Sequence, residues 1–520
     1  MNNIEIDLTK KYYINPIYII IPDKNRAVIT NAKGVDMFEQ KSNENIGISW
    51  LLNPVYAVIF SFFDGANNLS ETIELISREL GIKKDDVLGL VKSYIDNIEN
   101  QIVRYPKEEI EQDLLKPCNV FFIPKRFLIE NVDDVPRKDL FPKEAFFFKK
   151  ETWNFEKYRL SFPTSLTLML NNTCFTDCIY CYANKDHIVE NPISTEKILE
   201  LIKEANDLGV LNFDLSGGEV LKHKDCYLII SELQKYGYLP HVSTKIPLTE
   251  EEIISLKKTG IKEIQISLDS WDSDILTKIL QVEKNYLKKM INTLELLEKH
   301  EMTVCIKSVI TNINQDVKEL ELLLNNLIKF KNIRKISIAP AEYSLYKGVE
   351  KFLGYRTEIE QWNKLSKYVK TYGSKIIDIV INSQGAQGKE DIFNHVDLKE
   401  HSFKQRGLCS GNITSLYILP DGNVTICEEL YWSPLFVIGD IKKQSIQEIW
   451  DSDKATRLYD LSQKEFRNTS ACKHCPTFSE CRLKLGVCWK MIYQAYGMEV
   501  WDLPDPRCPL APPPINEYYR

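Results

Sequence analysis

The sequence predicts an α/β protein built on a partial, TIM-like (β/α)6 barrel, with a winged-helix-like module before it and a cysteine-rich domain after it. Three observations support this fold class. Six apolar, strand-like runs alternate with amphipathic helical segments through the middle of the chain. Strand-like runs and three short helical patterns precede them, and ten of the 13 cysteines fall into two clusters. The predicted boundaries within the 520 residues are 1–105 for the N-terminal module, 106–160 for a bridging segment, 161–345 for the barrel, 346–404 for a second bridging region and 405–520 for the cysteine-rich domain.

The composition is that of a folded protein without a strong charge preference for a partner. Hydrophobic residues make up 44% and aromatic residues 11% of the chain, which is enough for packed cores. The net charge of -7 gives no general attraction to nucleic acid or anionic membranes. The N-terminus "MNNIEIDLTKKYY" has no signal-peptide pattern, and the apolar run "PVYAVIFSFFDG" is too short to span a bilayer. We therefore expect a cytoplasmic protein with no nucleic-acid or membrane partner, whose cysteines serve metal binding or catalysis rather than disulfides.

The N-terminal module begins with two strand-like runs in "INPIYIIIPDKNRAVIT", joined by the polar turn "PDKNR". In the first helix Asn53 is expected as the N-cap, and Pro54 suits the first helical position. Ser70 is expected to cap the second helix, which ends at Gly81, and Asp85 is expected to open the third. Strands followed by three short helices predict a winged-helix-like module.

The six strand-like runs of the barrel are "SLTLML", "VLNFDLS", "PHVSTK", "IKEIQISLD", "TVCIKSVIT" and "IRKISIAP". Helical segments between consecutive strands indicate parallel pairing. Such folds place their functional groups at the carboxyl ends of the strands. Two motifs follow such ends: "NNTCFTDCIYCYANK" follows the first strand and "LSGGEV" follows the second.

The first motif holds Cys174, Cys178 and Cys181 in the spacing CxxxCxxC. Three thiolates on a tight loop can bind three irons of a 4Fe–4S cluster and leave the fourth iron open to an outside ligand. A zinc site would need a fourth ligand, for which Asp177 is a poor candidate, and inert thiols are the other alternative.

The second motif contains two adjacent glycines and a carboxylate, in Gly217, Gly218 and Glu219. Two glycines allow a ligand to approach the backbone closely, and the carboxylate can accept an ammonium group. An ordinary turn after a strand is the alternative interpretation.

Together these motifs, with an aromatic residue before the last cysteine, resemble the radical S-adenosylmethionine (SAM) superfamily. The resemblance implies that the three cysteines hold a 4Fe–4S cluster, whose open iron SAM chelates through its amino and carboxylate groups. It also implies that one electron cleaves SAM to a 5′-deoxyadenosyl radical, which abstracts hydrogen from the substrate. The implied SAM contacts are Gly217, Gly218 and Glu219 for the methionine ammonium, Tyr180 near the adenine, and Ser243 and Ser267 at the ends of the third and fourth strands. Relatives often carry an arginine after the "SLD" strand, and its absence here leaves Lys278 or another group to hold the SAM carboxylate.

Seven further cysteines lie in the C-terminal domain around a predicted hairpin, "SLYILPDGNVTICEEL", with an Asp421–Gly422 turn. This pattern, with "GDIKKQSIQEIW" between the cysteine groups, resembles the SPASM extension of radical SAM peptide and protein maturases. The resemblance implies two auxiliary iron–sulfur clusters, and thus three 4Fe–4S clusters in the chain. A zinc ribbon is the alternative, although only one CxxC pair occurs. The implied ligands are Cys472, Cys475, Cys481 and Cys508 for one auxiliary cluster, and Cys409, Cys427 and Cys488 for the other.

This tail departs from the family pattern in two places. Six residues separate Cys481 from Cys488 where the family usually has three, and an eighth cysteine before Cys409 is missing. The cluster of Cys409 is therefore expected to have an iron open to His401, to water or to a substrate thiolate. Three cysteines outside both clusters are expected to be ordinary apolar residues: Cys118, Cys226 and Cys305.

The N-terminal segment "LLNPVYAVIFSFFDGANNLSETIELISREL", followed by "DDVLGLVKSYIDNI", resembles the RiPP recognition element of ribosomal peptide natural-product pathways. The resemblance implies that the module binds the leader of a precursor peptide as an added strand. A generic helical cap on the barrel is the alternative. A DNA-binding winged helix is disfavoured because the module has no basic recognition helix.

The three resemblances together predict a radical SAM peptide maturase of the sactipeptide or ranthipeptide type. The expected reaction is an oxidative thioether crosslink from a cysteine sulfur to a carbon of the precursor peptide. The expected partners are that peptide with its leader and an electron donor such as flavodoxin or ferredoxin. The alternatives are a carbon–carbon crosslink, a sulfatase-type protein maturase and, from another class, a non-enzymatic iron–sulfur or zinc scaffold, which would form no 5′-deoxyadenosine.

Overall fold

Two units make up the computed structural model of the chain, Met1–Ser161 and Phe162–Arg520. The structure describes residues 6–34, 50–95, 127–130, 140–372, 377–381, 399, 403, 406 and 409–515. Cys118 and His401, for which the sequence predicted roles, lie outside these described residues.

The first unit contains strands β1 (Lys11–Ile14), β2 (Tyr18–Asp23), β3 (Arg26–Asn31), β4 (Trp50–Leu52), β5 (Asp64–Asn68) and β6 (Leu128–Glu130), and helices α1 (Pro54–Ser61), α2 (Leu69–Leu80) and α3 (Lys84–Ile95). Its described strands form two antiparallel sheets, in the orders β2–β3–β4 and β5–β1–β6. The predicted hairpin is confirmed, because β2 and β3 pair across the polar turn. Residues 54–60 of α1 are all buried, so this apolar helix lies in the core of the unit.

Of the four helix boundaries predicted in the first unit, those at Asn53 and Gly81 are confirmed, whereas α3 begins at Lys84, one residue before the expected Asp85. Asn53 caps α1 by accepting the backbone N–H of Val55 at 2.9 Å, and Gly81 ends α2 at a φ of 66°. The prediction that Ser70 caps α2 is wrong. The cap is Asn68, whose side chain accepts the backbone N–H of Glu71 at 2.9 Å, because β5 runs directly into the helix.

Replacing Asn68 by alanine is expected to destabilise α2 by about 1 kcal/mol, since the N-terminal turn loses its capping acceptor. Hydrogen–deuterium exchange of peptides from α2 should then become about fivefold faster. Ser70→Ala is the matched control, because the exposed Ser70 lies inside the helix, and its exchange should change little. Equal effects of the two substitutions would contradict the cap assignment.

The second unit contains strands β7 (Ser165–Met169), β8 (Asn212–Ser216), β9 (Ser243–Thr244), β10 (Glu263–Ser267), β11 (Thr303–Ile310), β12 (Ile333–Pro340), β13 (Asp378–Ile381), β14 (Ser415–Ile418), β15 (Asn423–Thr425) and β16 (Val437–Asp440). Its helices are α4 (Thr195–Leu208), α5 (Cys226–Lys235), α6 (Glu250–Lys258), α7 (Ser273–Leu280), α8 (Tyr286–Lys299), α9 (Val317–Leu327), α10 (Val349–Tyr355), α11 (Ile359–Tyr372), α12 (Ile446–Trp450), α13 (Asp453–Tyr459), α14 (Phe478–Glu480) and α15 (Trp489–Tyr496).

All six strands predicted for the barrel are present, as β7 to β12. The strands β9 to β13 form one parallel sheet in the order β13–β12–β11–β10–β9. The second sheet has the order β16–β15–β14–β7–β8, with β7 parallel to both of its neighbours. The parallel α/β fold is thus confirmed. Closure of the two sheets into a partial barrel stays a prediction, because the described strands β8 and β9 belong to different sheets.

The C-terminal hairpin joins the sheet that carries the first cysteine motif. β14 and β15 pair antiparallel across the predicted Asp421–Gly422 turn, which confirms the hairpin. On its other side β14 pairs in parallel with β7, with Ser415 opposite Ser165. The cysteine-rich tail is therefore built onto the strand from which the first cysteine loop leaves.

Candidate active site and cysteine centres

The first cysteine motif lies on the loop that follows β7, at the carboxyl end of the strand. Cys178 is buried, whereas Cys174 and Cys181 are half-buried. The Thr176 hydroxyl lies between two of the thiols, 3.1 Å from Cys178 Sγ and 3.6 Å from Cys174 Sγ. Burial raises the pKa of the Cys178 thiol, and the nearby Lys245 ammonium and Thr176 hydroxyl offset this only in part.

The carboxyl end of α7 holds this loop in place. The backbone N–H groups of Asp177 and Ile179 donate to the carbonyls of Leu280 and Ile279, at 3.0 and 2.9 Å. Backbone amides of the cysteine loop thereby satisfy carbonyls that the end of a helix leaves without partners. The loop conformation is therefore set by backbone contacts as well as by its cysteines.

The glycine pair after β8 is packed against the same cysteine loop. The Gly218 N–H donates to the Asn171 carbonyl at 2.8 Å, and the Asn171 side chain donates to the Glu219 carbonyl at 2.9 Å. A Cβ on Gly218 would lie 2.0 Å from the Thr173 carbonyl oxygen, and one on Gly217, whose φ is 154°, would lie 2.7 Å from the Asn171 oxygen. The group that approaches these glycines is thus the backbone of residues 171–173, whereas the sequence suggested a ligand.

Glu219 is buried, with 3% of its surface exposed, and its carboxylate is held by backbone donors. It accepts the N–H of Lys245 at 3.1 Å and the N–H of Leu221 at 3.4 Å. Burial raises the pKa of this carboxyl, and the hydrogen bonds from Lys245, Thr244 and Leu221 act against that rise. Glu219 therefore connects the glycine loop with the end of β9.

Two charged residues beside the cysteine loop were missed in the sequence. The Tyr180 hydroxyl donates to Asp269 Oδ2 at 2.5 Å, and Asp269 Oδ1 accepts the N–H of Val309 at 2.8 Å. The Lys245 ammonium lies 5.6 Å from the centre of the Tyr180 ring. Burial works against the charge on Lys245, but the neighbouring Asp269 and the three loop cysteines outweigh it and raise its pKa. Lys245 directly follows β9 and Asp269 lies two residues after the end of β10, and these positions at strand ends were the available signal.

The two serines proposed as SAM contacts lie side by side on adjacent strands. The Gln265 side chain donates to Ser243 Oγ at 2.6 Å and to Ser267 Oγ at 3.5 Å. Lys278, which the sequence offered in place of an arginine, is exposed. Besides Lys245, two lysines contact the cysteine loop directly: Lys185 donates to the Thr176 carbonyl at 2.8 Å and Lys347 to the Cys178 carbonyl at 2.8 Å.

The seven tail cysteines lie in a group of four and a group of three, and their assignment as cluster ligands stays a prediction. The four-cysteine group, Cys472, Cys475, Cys481 and Cys508, lines one cavity of about 220 Å³. Burial raises the pKa of the Cys508 thiol to about 11, and the nearby thiolates of Cys481, Cys472 and Cys475 contribute to this rise.

The three-cysteine group consists of Cys409, Cys427 and Cys488. Burial raises the pKa of Cys427, and the charges of Cys409 and Cys488 raise it further. Beside them the backbone N–H of Cys488 donates to Asp505 Oδ2 at 3.1 Å. Cys226 and Cys305 are buried and belong to neither group, as predicted. Within the described ranges, no three His, Cys, Asp or Glu side chains form a ready site for a single metal ion.

The four-cysteine group fits an iron–sulfur cluster by its donor set and by its space. Thiolates are the usual protein ligands of such clusters. The cavity measures about 220 Å³, whereas a single water needs only about 10–15 Å³, so the space is large enough for a group of several atoms. Arg482 also lines this cavity, and its Nη1 atom is buried without a hydrogen-bond partner among the described residues.

The loop after a parallel strand thus carries three cysteines, and two further cysteine groups follow in the same unit. Two family models match parts of the chain. The radical SAM superfamily matches residues 168–327, and the SPASM iron–sulfur cluster-binding domain matches residues 409–476. The chain is therefore an enzyme that carries both domains, whose presence implies 4Fe–4S clusters and SAM as cofactors. Cys481, Cys488 and Cys508 lie beyond the matched ranges.

Individual proteins resemble the chain at low identity. The GTP 3′,8-cyclase of Campylobacter lari is 27% identical over 183 residues, which are 34% of this chain and 55% of that enzyme. The chain thus spans about half the length of this curated relative. The structure of Streptococcus suis SuiB bound to S-adenosylmethionine matches with a TM-score of 0.57 at 14% identity, covering 92% of this chain and 95% of SuiB. SuiB bound to its precursor peptide SuiA matches with a TM-score of 0.56 at 15% identity and the same coverage. These likenesses show a shared fold.

None of the described helices is long and apolar enough to cross a membrane.

Proposed function

We propose that this enzyme is a cytoplasmic peptide maturase that binds the leader of a ribosomally made precursor and installs a thioether crosslink of the sactipeptide or ranthipeptide type. The observation that carries the proposal is the division of the tail cysteines into groups of four and three within the unit that holds the SAM-type cysteine loop. The similar fold of SuiB, a protein known bound to a precursor peptide, supports a peptide substrate.

The first cysteine loop would hold the SAM-binding cluster through Cys174, Cys178 and Cys181. When bound, the cluster and SAM supply a radical that removes hydrogen from the substrate. The chain fixes the loop through the glycine pair and the end of α7, and the remaining sequence-based SAM contacts stay candidates at this site: Tyr180, Gly217, Gly218, Glu219, Ser243 and Ser267. Lys245 places a positive charge beside Cys178, which acts against the rise that burial causes in the pKa of that thiol.

A cavity in the same unit suits a peptide segment. It measures about 600 Å³, and its lining includes the side chains of His187, Tyr346, Trp432, Tyr493 and Trp501. The His187 ring stacks on Trp432 at 3.7 Å between ring centres. Concave sites with several aromatic side chains and a few polar groups are typical binding sites for organic ligands. Because His187 belongs to the chain segment that leaves the cysteine loop, we assign this cavity to the modified part of the peptide.

The three-cysteine group favours a thioether product. A 4Fe–4S cluster held by Cys409, Cys427 and Cys488 would leave an iron for a further ligand, and a substrate cysteine thiolate would fill that position. A substrate thiolate held there would be the sulfur that joins the carbon from which hydrogen has been removed. His401 is the competing protein ligand and lies outside the described residues.

We assign leader binding to the first unit. In this unit β2 and β4 pair with β3, and we propose that the leader adds as a further strand to this sheet. An electron donor such as flavodoxin or ferredoxin completes the system.

The test is the intact mass of the precursor peptide encoded next to this gene, after anaerobic incubation with enzyme, SAM and reductant. Thiol alkylation follows on the same sample. We expect the loss of two hydrogens and one cysteine that no longer reacts. The same mass loss with every thiol reactive would indicate a carbon–carbon crosslink instead. An unchanged mass, in the presence of 5′-deoxyadenosine formation, would contradict the crosslinking proposal, and a peptide without its leader serves as the control for recognition.

A further inference from the structure

Arg482 is a buried cation in direct contact with the four-cysteine group. Its Nη2 donates to Cys472 Sγ at 3.5 Å, and 6% of the residue is exposed. The guanidinium lies over three aromatic rings, 4.9 Å from the centre of Phe466, 5.2 Å from Trp489 and 5.6 Å from Phe478. The three aromatic rings hold the planar guanidinium in place, and its Nη2 edge faces Cys472 of the four-cysteine group.

The same side chain has an unused donor. Nη1 of Arg482 is buried and has no hydrogen-bond partner among the described residues. A buried, charged donor without an acceptor is destabilising. Arg482 lines both the cavity of the four-cysteine group and a smaller cavity next to Cys409. A hydrogen-bond acceptor in one of these cavities would satisfy Nη1.

A second arginine contacts the same group of cysteines. Arg406 Nη2 donates to Cys481 Sγ at 3.2 Å, while its other donors bond the carbonyls of Gly486 and Phe403. Its residue surface is 7% exposed. The four thiols are therefore accompanied by two buried guanidinium groups that both reach sulfur.

The three-cysteine group differs in its contacts to sulfur. Asp505, which is paired with Arg507 at 2.7 Å, accepts the N–H of Cys488 and also lines the cavity of the four-cysteine group, so this carboxylate lies near both groups. No guanidinium–sulfur hydrogen bond to Cys409, Cys427 or Cys488 occurs among the described residues.

We propose that Arg482, assisted by Arg406, donates hydrogen bonds to the cluster of the four-cysteine group and raises the reduction potential of that cluster. This rests on the proposed function, which supplies the two clusters. Reduction adds one negative charge to the cluster, and a nearby buried cation stabilises the more negative state. Nη1 would find its acceptor in a cluster sulfide, as a charge-assisted hydrogen bond.

The measurement is the midpoint potential of each auxiliary cluster, followed by electron paramagnetic resonance during a redox titration of the full-length protein. A background with Cys174→Ala, Cys178→Ala and Cys181→Ala removes the signal of the first loop. In that background Arg482→Met is compared with the unsubstituted residue, since methionine is unbranched and packs well against aromatic rings. We expect one auxiliary signal to shift to lower potential by at least a tenfold change in its reduction equilibrium, which is 59 mV for one electron.

Two further variants separate charge from packing. Arg482→Lys keeps the charge and should shift the potential by less than half as much. Arg457→Met is the matched control, because Arg457 is an exposed arginine of the same domain that pairs with Glu465, and its removal should leave both potentials unchanged. Loss of iron in Arg482→Met but not in Arg482→Lys would also support the proposal, because it would show that the site requires a cation.

Three results would overturn the inference. The first is that both auxiliary clusters are present in Arg482→Met and that their midpoint potentials equal those of the protein with Arg482. The second is loss of iron from both the methionine and the lysine variants with the far-ultraviolet circular dichroism unchanged, which would make Arg482 a packing residue. The third, absence of any auxiliary cluster with Arg482 intact, would remove the proposed cluster arrangement as well, and so differs from a failure at Arg482 alone.

Discussion

Replacing Cys178 by alanine is expected to abolish the reductive cleavage of SAM. Cys178 is the buried member of the three-cysteine loop, and its thiol contacts Thr176 at 3.1 Å within that loop. Without it only two of the three proposed cluster ligands remain. We expect formation of 5′-deoxyadenosine to fall by at least about a thousandfold, equivalent to about 4 kcal/mol. Iron content should fall by about four atoms per chain.

Cys305→Ala is the matched control for this substitution. Cys305 is also a buried free cysteine, and burial raises the pKa of its thiol to about 12, but it lies in β11 beside Glu263 and Arg334. Its replacement should leave both SAM cleavage and iron content unchanged. SAM cleavage retained in the Cys178 variant would contradict the cluster assignment. Loss of SAM cleavage in both variants would indicate that the fold does not tolerate the loss of a buried thiol, and would not show that Cys178 is a cluster ligand.

The secondary structure of the barrel region could be predicted because its signals are local. Interior parallel strands appear as short apolar runs, and the helices between them carry their own caps and apolar faces. The pairing of β14 with β7 could not be predicted in the same way. It joins Ser415 to Ser165, two residues far apart in the chain, and no local pattern encodes such a register. The predicted cap of α2 was wrong because Asn68 and Ser70 are both good capping residues. The tertiary structure, in which the helix begins right after β5, makes Asn68 the cap.

The site was predictable where spacing alone brings residues together. The loop cysteines and the CxxC pair of the tail are close in sequence, so their convergence is nearly local. Lys245 and Asp269 come from separate strand ends, and their meeting at Tyr180 depends on how those strands pair. The role proposed for Arg482 could not be predicted from the sequence, because it depends on the burial of the side chain. Only the fold shows that its Nη1 atom is shielded from water and has no hydrogen-bond partner among the described residues.

Replacing Gly218 by alanine is expected to lower the free energy of unfolding by about 3 kcal/mol, at the upper end of the usual cost of overpacking. The new methyl group would lie 2.0 Å from the Thr173 carbonyl oxygen, which is backbone and cannot rotate away. The shift would break the hydrogen bond between Gly218 and Asn171, which joins the two loops. Denaturant unfolding of the apoprotein measures the loss, and SAM binding should weaken at least about tenfold because the cysteine loop is displaced.

Gly354→Ala is the control for this change. Gly354 lies in α10, and a Cβ there meets no atom within 4 Å, so alanine should leave stability unchanged or raise it by up to about 1 kcal/mol. The apoprotein measurement also separates two roles of the glycine pair. If Gly218→Ala retains full stability but loses SAM binding, close approach of a ligand is the reason for glycine, as the sequence suggested. If stability and SAM binding fall together, the glycine serves first to let the cysteine loop pack, and SAM binding depends on that packing.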